Sequence, residues 1–391
     1  MPSVVLLPPS LDPSAAELSR DLLDLARELA DKELRPRADD FEARGEFPRE
    51  LIRTLGRSGF LGLPYSSGYG GADQPYEVYL QVLEILASRW LAVAEAVSVH
   101  TLACYPLAAY GSEEQKQRWL PDMLGGELLG AYCLSEPAGG SDAANLTTSA
   151  RLENGENGNE YVVNGTKAWI THAGIADAYN IFCRTGGPGA KGISCLFAEA
   201  GTAGLEPQPR ERTMGLKASP VAQVVLDGAR VPADRLLGGE GEGFTIAMGA
   251  LDSGRLGIAA CAVGLAQGAL DYAIGYAKER KQFGQRIIDF QGLGFLVADA
   301  ATQIAAARAL TLHAARLKDA GQPYSIEAAQ AKLFATDVAM KVTTDAVQVL
   351  GGAGYVADHP VERYMREAKV LQIVEGTNQI QRMVIARHLA R

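Results

Sequence analysis

The chain has 391 residues, more than one core ordinarily holds, so two or three domains are expected. A formal net charge of -9 lacks the basic face that a phosphate backbone requires, which excludes a broad nucleic-acid footprint. Cys104, Cys133, Cys183, Cys195 and Cys261 show no C-x-x-C spacing and read as reduced, buried thiols of a cytoplasmic protein. The N-terminal segment has no basic n-region, and no apolar stretch is expected to span a membrane.

Ser14-x-x-Glu17 has the form of a capping box that opens a helix to about Leu34, where Arg35-Pro36 stops it. Helical periodicity recurs over 48–59, over 75–92 and, after a second box at Ser112-x-x-Gln115, over 119–123. Residues 1–125 therefore read as a helical domain. Short β-prone runs follow at 130–135, 150–152, 161–163, 168–171, 178–184, 193–198 and 222–226. Asn-Gly pairs at 154, 157 and 164 punctuate them as hairpin turns, so 126–240 reads as a small antiparallel β domain. Residues 241–391 return to long helical patterns, roughly 244–281, 289–319 and 325–350, enough for a bundle and a subunit interface. Gly257, Gly264, Gly268 and Gly275 on the first would let neighbouring backbones approach.

Gly187-Pro-Gly189-Ala-Lys-Gly192 matches G-x-G-x-x-G but leads into a β-prone run, so the helix N-terminus that would hold a pyrophosphate is missing. The five histidines lack ligand spacing, and no metal is expected. Ser135 and Ser141 lack the setting of a hydrolase nucleophile. They belong instead to Leu134-Ser135-Glu136-Pro137-Ala138-Gly139-Gly140-Ser141-Asp142, a turn whose amides and small hydroxyls can face a phosphate or a planar ring. Trp169-Ile170-Thr171 places an indole beside a hydroxyl. Near the C-terminus, Glu375 stands between Ile373-Val374 and Gly376, ahead of a helix that Thr377 is typed to cap. The helix terminus favours the carboxylate, while apolar neighbours and a closing substrate raise its proton affinity, which poises it as a general base.

Six motifs occur in one order: Ser135-Glu136-Pro137 with Gly139-Gly140-Ser141-Asp142, Trp169-Ile170-Thr171, Leu251-Asp252-Ser253-Gly254-Arg255, Glu279-Arg280-Lys281-Gln282-Phe283-Gly284, Gln348-Val349-Leu350-Gly351-Gly352 and Glu375-Gly376-Thr377-Asn378-Gln379-Ile380-Gln381-Arg382. Together they resemble the acyl-CoA dehydrogenase family over essentially the whole chain. The resemblance implies an α+β multidomain fold with an N-terminal α-helical domain, a middle antiparallel β-barrel-like domain and a C-terminal four-helix bundle, assembled as a homotetramer. It implies FAD held without a Rossmann fold. By position, Tyr132, Cys133, Leu134, Ser135, Gly140 and Ser141, with Trp169, Ile170 and Thr171, would line the flavin. Arg280, Gln282, Phe283, Gln291, Gln348, Val349, Leu350, Gly351 and Gly352 would hold the adenine dinucleotide portion, partly across a subunit interface. Thr377 and Gln379 would complete that site.

The same resemblance gives Ser141, Phe244, Asp252, Ser253, Gly254, Arg255 and Gly376 to the substrate or CoA, with Arg255 a cation for the CoA phosphates. Glu375 would remove the α-proton of an acyl-CoA thioester while the β-hydrogen leaves as hydride to the flavin, giving the trans-2-enoyl thioester. The backbone amide of the base and a flavin ribityl hydroxyl would polarise the carbonyl, and electron-transfer flavoprotein would reoxidise the flavin. Gly254 stands where isovaleryl-type members supply their base. Short and short branched members look most similar, which points to butyryl-, isobutyryl- or 2-methylbutyryl-CoA and to fatty acid or branched-chain amino acid breakdown. Val374 replaces the Tyr of many relatives and leaves chain length open. An acyl- or aminoacyl-carrier-protein dehydrogenase, an oxidase, and a non-catalytic assembly subunit remain alternatives.

Overall fold

A computed structural model describes residues 13–155 and 158–390. The chain is already helical at Pro13, so Ser14 lies inside α1 (Pro13–Leu29) and does not cap it. Proline suits that first turn because its missing N–H has no partner to lose there. A π-helical turn, Ala30–Leu34, ends at Arg35-Pro36. Then follow α2 (Ala38–Arg44), α3 (Arg49–Arg57), α4 (Tyr76–Ala87), α5 (Leu91–Tyr110) and α6 (Glu113–Leu124). The box at Ser112 does open α6, with Gln115 N–H donating to Ser112 Oγ and Ser112 N–H to Gln115 Oε1. Sequence periodicity missed α5 because the helix is buried on nearly all sides and has no polar face to set a stripe.

Among the described residues, eight strands build the middle of the chain: β1 (Gly130–Cys133), β2 (Ser149–Gly155), β3 (Gly158–Thr171), β4 (Ala178–Arg184), β5 (Ile193–Glu199), β6 (Leu205–Pro207), β7 (Val221–Pro232) and β8 (Leu236–Leu237). Their order is β6-β7-β3-β2-β4-β5-β8, with β1 joined to β4. Pairing is antiparallel except for β1 with β4 and a single contact of β2 with β4. Asn164-Gly165 is not a hairpin. It lies inside β3, where the pairing with β7 shifts register and Gly165 takes a φ of 151°, so two expected strands are one bent strand. The β2–β3 hairpin closes at Gly155 opposite Gly158, and Asn157 lies outside the described residues. The Gly187–Gly192 stretch is the connection from β4 to β5.

The chain continues through α7 (Gly243–Glu279), the small hairpin of β9 (Lys281–Gln282) and β10 (Gln285–Arg286), α8 (Gln291–Asp319), α9 (Ser325–Leu350), α10 (Val361–Leu371) and α11 (Asn378–Leu389). Close approach occurs where α7 meets α4. A side chain at Gly264 or Gly268 would run into the Glu84 or Ser88 carbonyl, whereas Gly275 faces open space. One hydrophobic core runs through α1, α4, α5, α7, α8 and α9, so the first and last helical regions share an interior. The strands enclose a second core.

By length and composition, α5, α7 and α8 are each apolar enough to cross a membrane, against the expectation from the sequence. Their few charges are spread out, and alanine with leucine, isoleucine and valine carries the apolarity without forming one obvious run. The most apolar windows of α5 and α7 are 89% and 72% buried within the chain, while that of α8 is only 17% buried.

Candidate active site

A cavity of about 310 Å³ opens where α5, β1, β3, α7 and the turn between α10 and α11 converge. Glu375 lies in that turn. Its φ is 53° and that of Gly376 is 90°, a left-handed pair that turns the chain sharply before Thr377 caps α11 through Ile380 N–H. A non-glycine residue held so costs on the order of 1–3 kcal/mol, and the surroundings supply the restraint. Gln381 Nε2 donates to the Gly376 carbonyl at 2.8 Å, and Lys332 Nζ donates to the same carbonyl at 3.0 Å and to Asn378 Oδ1 at 2.9 Å. Asn378 in turn donates to Thr336 and Asp337 of α9.

The result is a fixed backbone carrying an unpaired acid. Both Glu375 carboxylate oxygens are shielded from solvent and have no hydrogen-bond partner. Burial raises its pKa to about 8; Lys332 and Arg255 pull it down and the Glu95 carboxyl pushes it up. Burial therefore outweighs the helix terminus. Among the described residues no backbone carbonyl or side chain accepts from the Glu375 N–H.

Glu95 is the residue the sequence reading missed. It is 3% exposed on α5, lines the same cavity, and accepts from Ser219 Oγ at 2.7 Å and Thr171 Oγ1 at 3.4 Å. Burial raises its pKa to about 7, against those two hydroxyls. Its only sequence signal was a lone acid in the apolar run from Leu91 to Leu107.

The opposite wall is built by a buried ion pair. Lys167 of β3 reaches Glu136 at 2.8 Å, and Glu136 also accepts from Thr147 and Thr148, which pins the loop after β1. Burial would raise the pKa of Glu136, but Lys167 and these hydrogen bonds bring it to about 2. Lys167 and Ala168 are both held inside, and the register shift between Lys167 and Ile170 breaks the alternation there. Trp169, at φ 62°, is 67% exposed and walls the cavity.

The cavity thus gathers Tyr132, Leu134, Ser135, Gly140 and Ser141 with Trp169, Ile170 and Thr171, and sets them against Arg255, Glu375, Gly376 and Thr377. Cys133 points instead into the β core. Phe244 packs against the core between α5, α6 and β5, and Asp252 is tied to Arg255 at 2.6 Å and to Ser325. Arg255 is therefore no outward cation for CoA phosphates: it is 5% exposed, paired with Asp252, and part of the cavity wall. Ser253 and Gly254 line a neighbouring cavity. Arg280, Gln282, Phe283, Gln291 and Gln348 are exposed and lie outside the Glu375 cavity, as do Gly351, Gly352 and Gln379. Val349 and Leu350 pack against Ala269, Ala273 and Val361.

Family models for the N-terminal, middle and C-terminal domains of acyl-CoA dehydrogenase match residues 16–127, 131–229 and 241–390. The chain belongs to the acyl-CoA dehydrogenase family. It is 43% identical to the short-chain specific acyl-CoA dehydrogenase of Clostridium acetobutylicum, over 94% of this chain and 96% of that one. Among solved structures, butyryl-CoA dehydrogenase from Megasphaera elsdenii aligns with a TM-score of 0.93 at 39% identity, covering 98% of this chain and all of that one. A chain solved in work on the electron transferring flavoprotein of Acidaminococcus fermentans aligns at 0.94 with 43% identity, over 98% of this chain and 100% of that one.

This acyl-CoA dehydrogenase family member is an FAD-dependent oxidoreductase. Its cavity suits that cofactor. The outward indole of Trp169 gives a flat face, Gly140 leaves the backbone open beside Ser135, and the Ser141 and Thr171 hydroxyls supply polar edges.

Proposed function

We propose that this protein removes the α-proton and β-hydride of a short acyl-CoA thioester, giving the trans-2-enoyl-CoA, with Glu375 as the base. The observation that carries this reading is the buried, unpartnered Glu375 carboxylate facing the cavity beside Trp169 and Thr171. An α-proton of a thioester is a weak acid, so its removal needs a desolvated carboxylate and a polarised carbonyl. Glu375 receives the proton on its carboxylate, and its backbone N–H, without an acceptor among the described residues, would bond the thioester oxygen in this reading. Val99, Leu102, Ile258 and Val374 exclude water from the acyl group. The residues around Trp169, Ser135 and Thr171 would hold FAD, which would supply the acceptor for the hydride lost from the β-carbon.

The short-chain name of the Clostridium relative and the butyryl-CoA name of the Megasphaera structure support a short acyl group. Butyryl, isobutyryl and 2-methylbutyryl groups fit this class, the last two placing the enzyme in branched-chain amino acid degradation. Electron-transfer flavoprotein is the electron acceptor in this reading, and the Acidaminococcus structure supports it. A homotetramer in the cytoplasm completes the proposal. The assembly is supported by the exposed position of the residues expected at the dinucleotide, with Phe283 93% exposed, and by the exposed apolar residues of α8, Phe295 and Leu310.

Anaerobic mixing with butyryl-, isobutyryl- and 2-methylbutyryl-CoA should bleach the oxidised flavin rapidly. Glu375→Gln should keep FAD and lose that bleaching by about 100- to 10,000-fold. Near-normal bleaching by the variant would sink the assignment of the base.

A further inference from the structure

Lys332 of α9 is 0% exposed, and among the described residues its ammonium forms no ion pair. The atoms it reaches are neutral: Nζ donates to the Gly376 carbonyl at 3.0 Å and to Asn378 Oδ1 at 2.9 Å. Its neighbour on the helix completes a grip on the turn. Asp337 accepts from Gln372 Nε2 at 2.6 Å and from Asn378 Nδ2 at 2.8 Å, and the Asn378 N–H closes the turn on the Gln372 carbonyl at 3.0 Å. Thus α9 holds the chain on both sides of Glu375. Hydrogen bonding alone does not ask for a charge at this depth, and a buried ammonium is costly unless an anion answers it.

The anion in reach is the base. Burial pulls the Lys332 amine down from the ordinary lysine range, and Glu375 is the largest influence holding it up. In return, after the burial that raises the pKa of Glu375, Lys332 is the largest influence on that carboxyl and favours its ionised form. The other groups around the pair do not take its place. Arg255 of α7 is closed by Asp252 at 2.6 Å, and Asp337 by Arg382 at 3.1 Å. Glu95 of α5 acts against a charge on Glu375. Tyr76 and Tyr79 of α4, Tyr132 of β1 and Cys261 of α7 complete the surroundings; burial lifts the pKa of each, so they stay neutral.

Resting on the reading of Glu375 as the base of an acyl-CoA dehydrogenase, we propose that Lys332 is a positioning residue for this reaction: it ties α9 to the turn that aims the carboxylate, and its ammonium is the counter-charge that keeps Glu375 ionised when an acyl group closes the cavity. Lys332 does not line that cavity, so it acts through Glu375 without touching substrate. An acyl group that expels water from the carboxylate makes every charge left inside count for more.

The test is the pH profile of anaerobic flavin bleaching at subsaturating butyryl-CoA, measured on the flavin-loaded parent, Lys332→Met, Lys332→Arg and Glu375→Gln. Methionine fills similar space without the charge; the midpoint of Lys332→Met should lie about one unit above the parent's, with the two rates converging by about pH 10. Lys332→Arg keeps the charge and should keep the parental midpoint; a raised midpoint there too overturns the assignment to charge. A Lys332→Met rate lowered equally at every pH also overturns it, because a lysine that only shapes the turn slows the reaction without moving the midpoint. If Lys332→Met does not fold, its combination with Glu375→Gln decides. Removing both charges of the pair should restore folding, and a double variant that also fails to fold overturns the pairing. Near-normal bleaching by Glu375→Gln alone removes the base itself, and this role with it.

Discussion

Glu375 works as a base only when it is ionised, yet burial holds its pKa at about 8. Flavin reduction at subsaturating substrate should therefore rise with pH between roughly 7 and 9 and then level; a flat profile across that range would contradict a titrating base. Glu95 offers a separate check through stability. Its folded pKa of about 7 lies above the ordinary 4.5, so the folded protein binds the extra proton. The stability this contributes is fully present below 4.5 and is lost as pH rises through 7. Glu95→Gln does not titrate, so its stability relative to the parent should grow over that interval, by up to about 3 kcal/mol, and stay constant above. Thermal melts of the two proteins at a series of pH values measure it. Glu375 was legible from its apolar flank and the Thr377 cap, both local features. Glu95 and Lys332 were not, because nothing near them in sequence says that α5 and α9 bring them to the same turn.

At the scale of elements, the loop from Leu134 to Asp142 owes its shape to one buried pair. Lys167→Met leaves the Glu136 carboxylate buried without its cation, which costs about 3–5 kcal/mol where a buried pair is broken. The expected outcome is a lower melting temperature together with weaker FAD retention, because the freed loop carries Ser135, Gly140 and Ser141. A variant that melts normally and keeps its flavin would show that the pair is dispensable. The strands at 178–184 and 193–198 could be read almost to the residue from their apolar runs, and the long helices of the C-terminal half from their alanine-rich patterns. Two readings failed for one physical reason. Asn164-Gly165 is a turn signal only when the flanking strands pair with each other, and here both flanks pair with β7 instead. Likewise α5 shows no stripe, since a helix surrounded by protein has no solvent face to mark one.

Across the whole molecule, the residues expected around FAD fall into two groups that one chain does not join. Those nearest the flavin ring line the Glu375 cavity, while Arg280, Gln282, Phe283, Gln291 and Gln348 stand exposed outside it. If a second copy brings them to the cofactor, FAD retention should fall when the protein is diluted below its assembly threshold, which sedimentation and flavin fluorescence can follow together. Arg280→Ala should weaken retention more than it slows reduction of the flavin that stays bound. Retention indifferent to dilution would place the whole cofactor within one subunit.

The cavity draws its acids from positions 95 and 375, and α5 and the α10 that leads into the turn share a single core. A growing chain exposes α5 well before the turn that bears the base, which lies beyond α10. Until α10 and α11 dock on α9, the face of α5 that holds Glu95 has no opposite wall, and there is no enclosed space for a ring to enter. Flavin capture must then wait until α10 and α11 have been made and docked, however early the rest of the wall is in place.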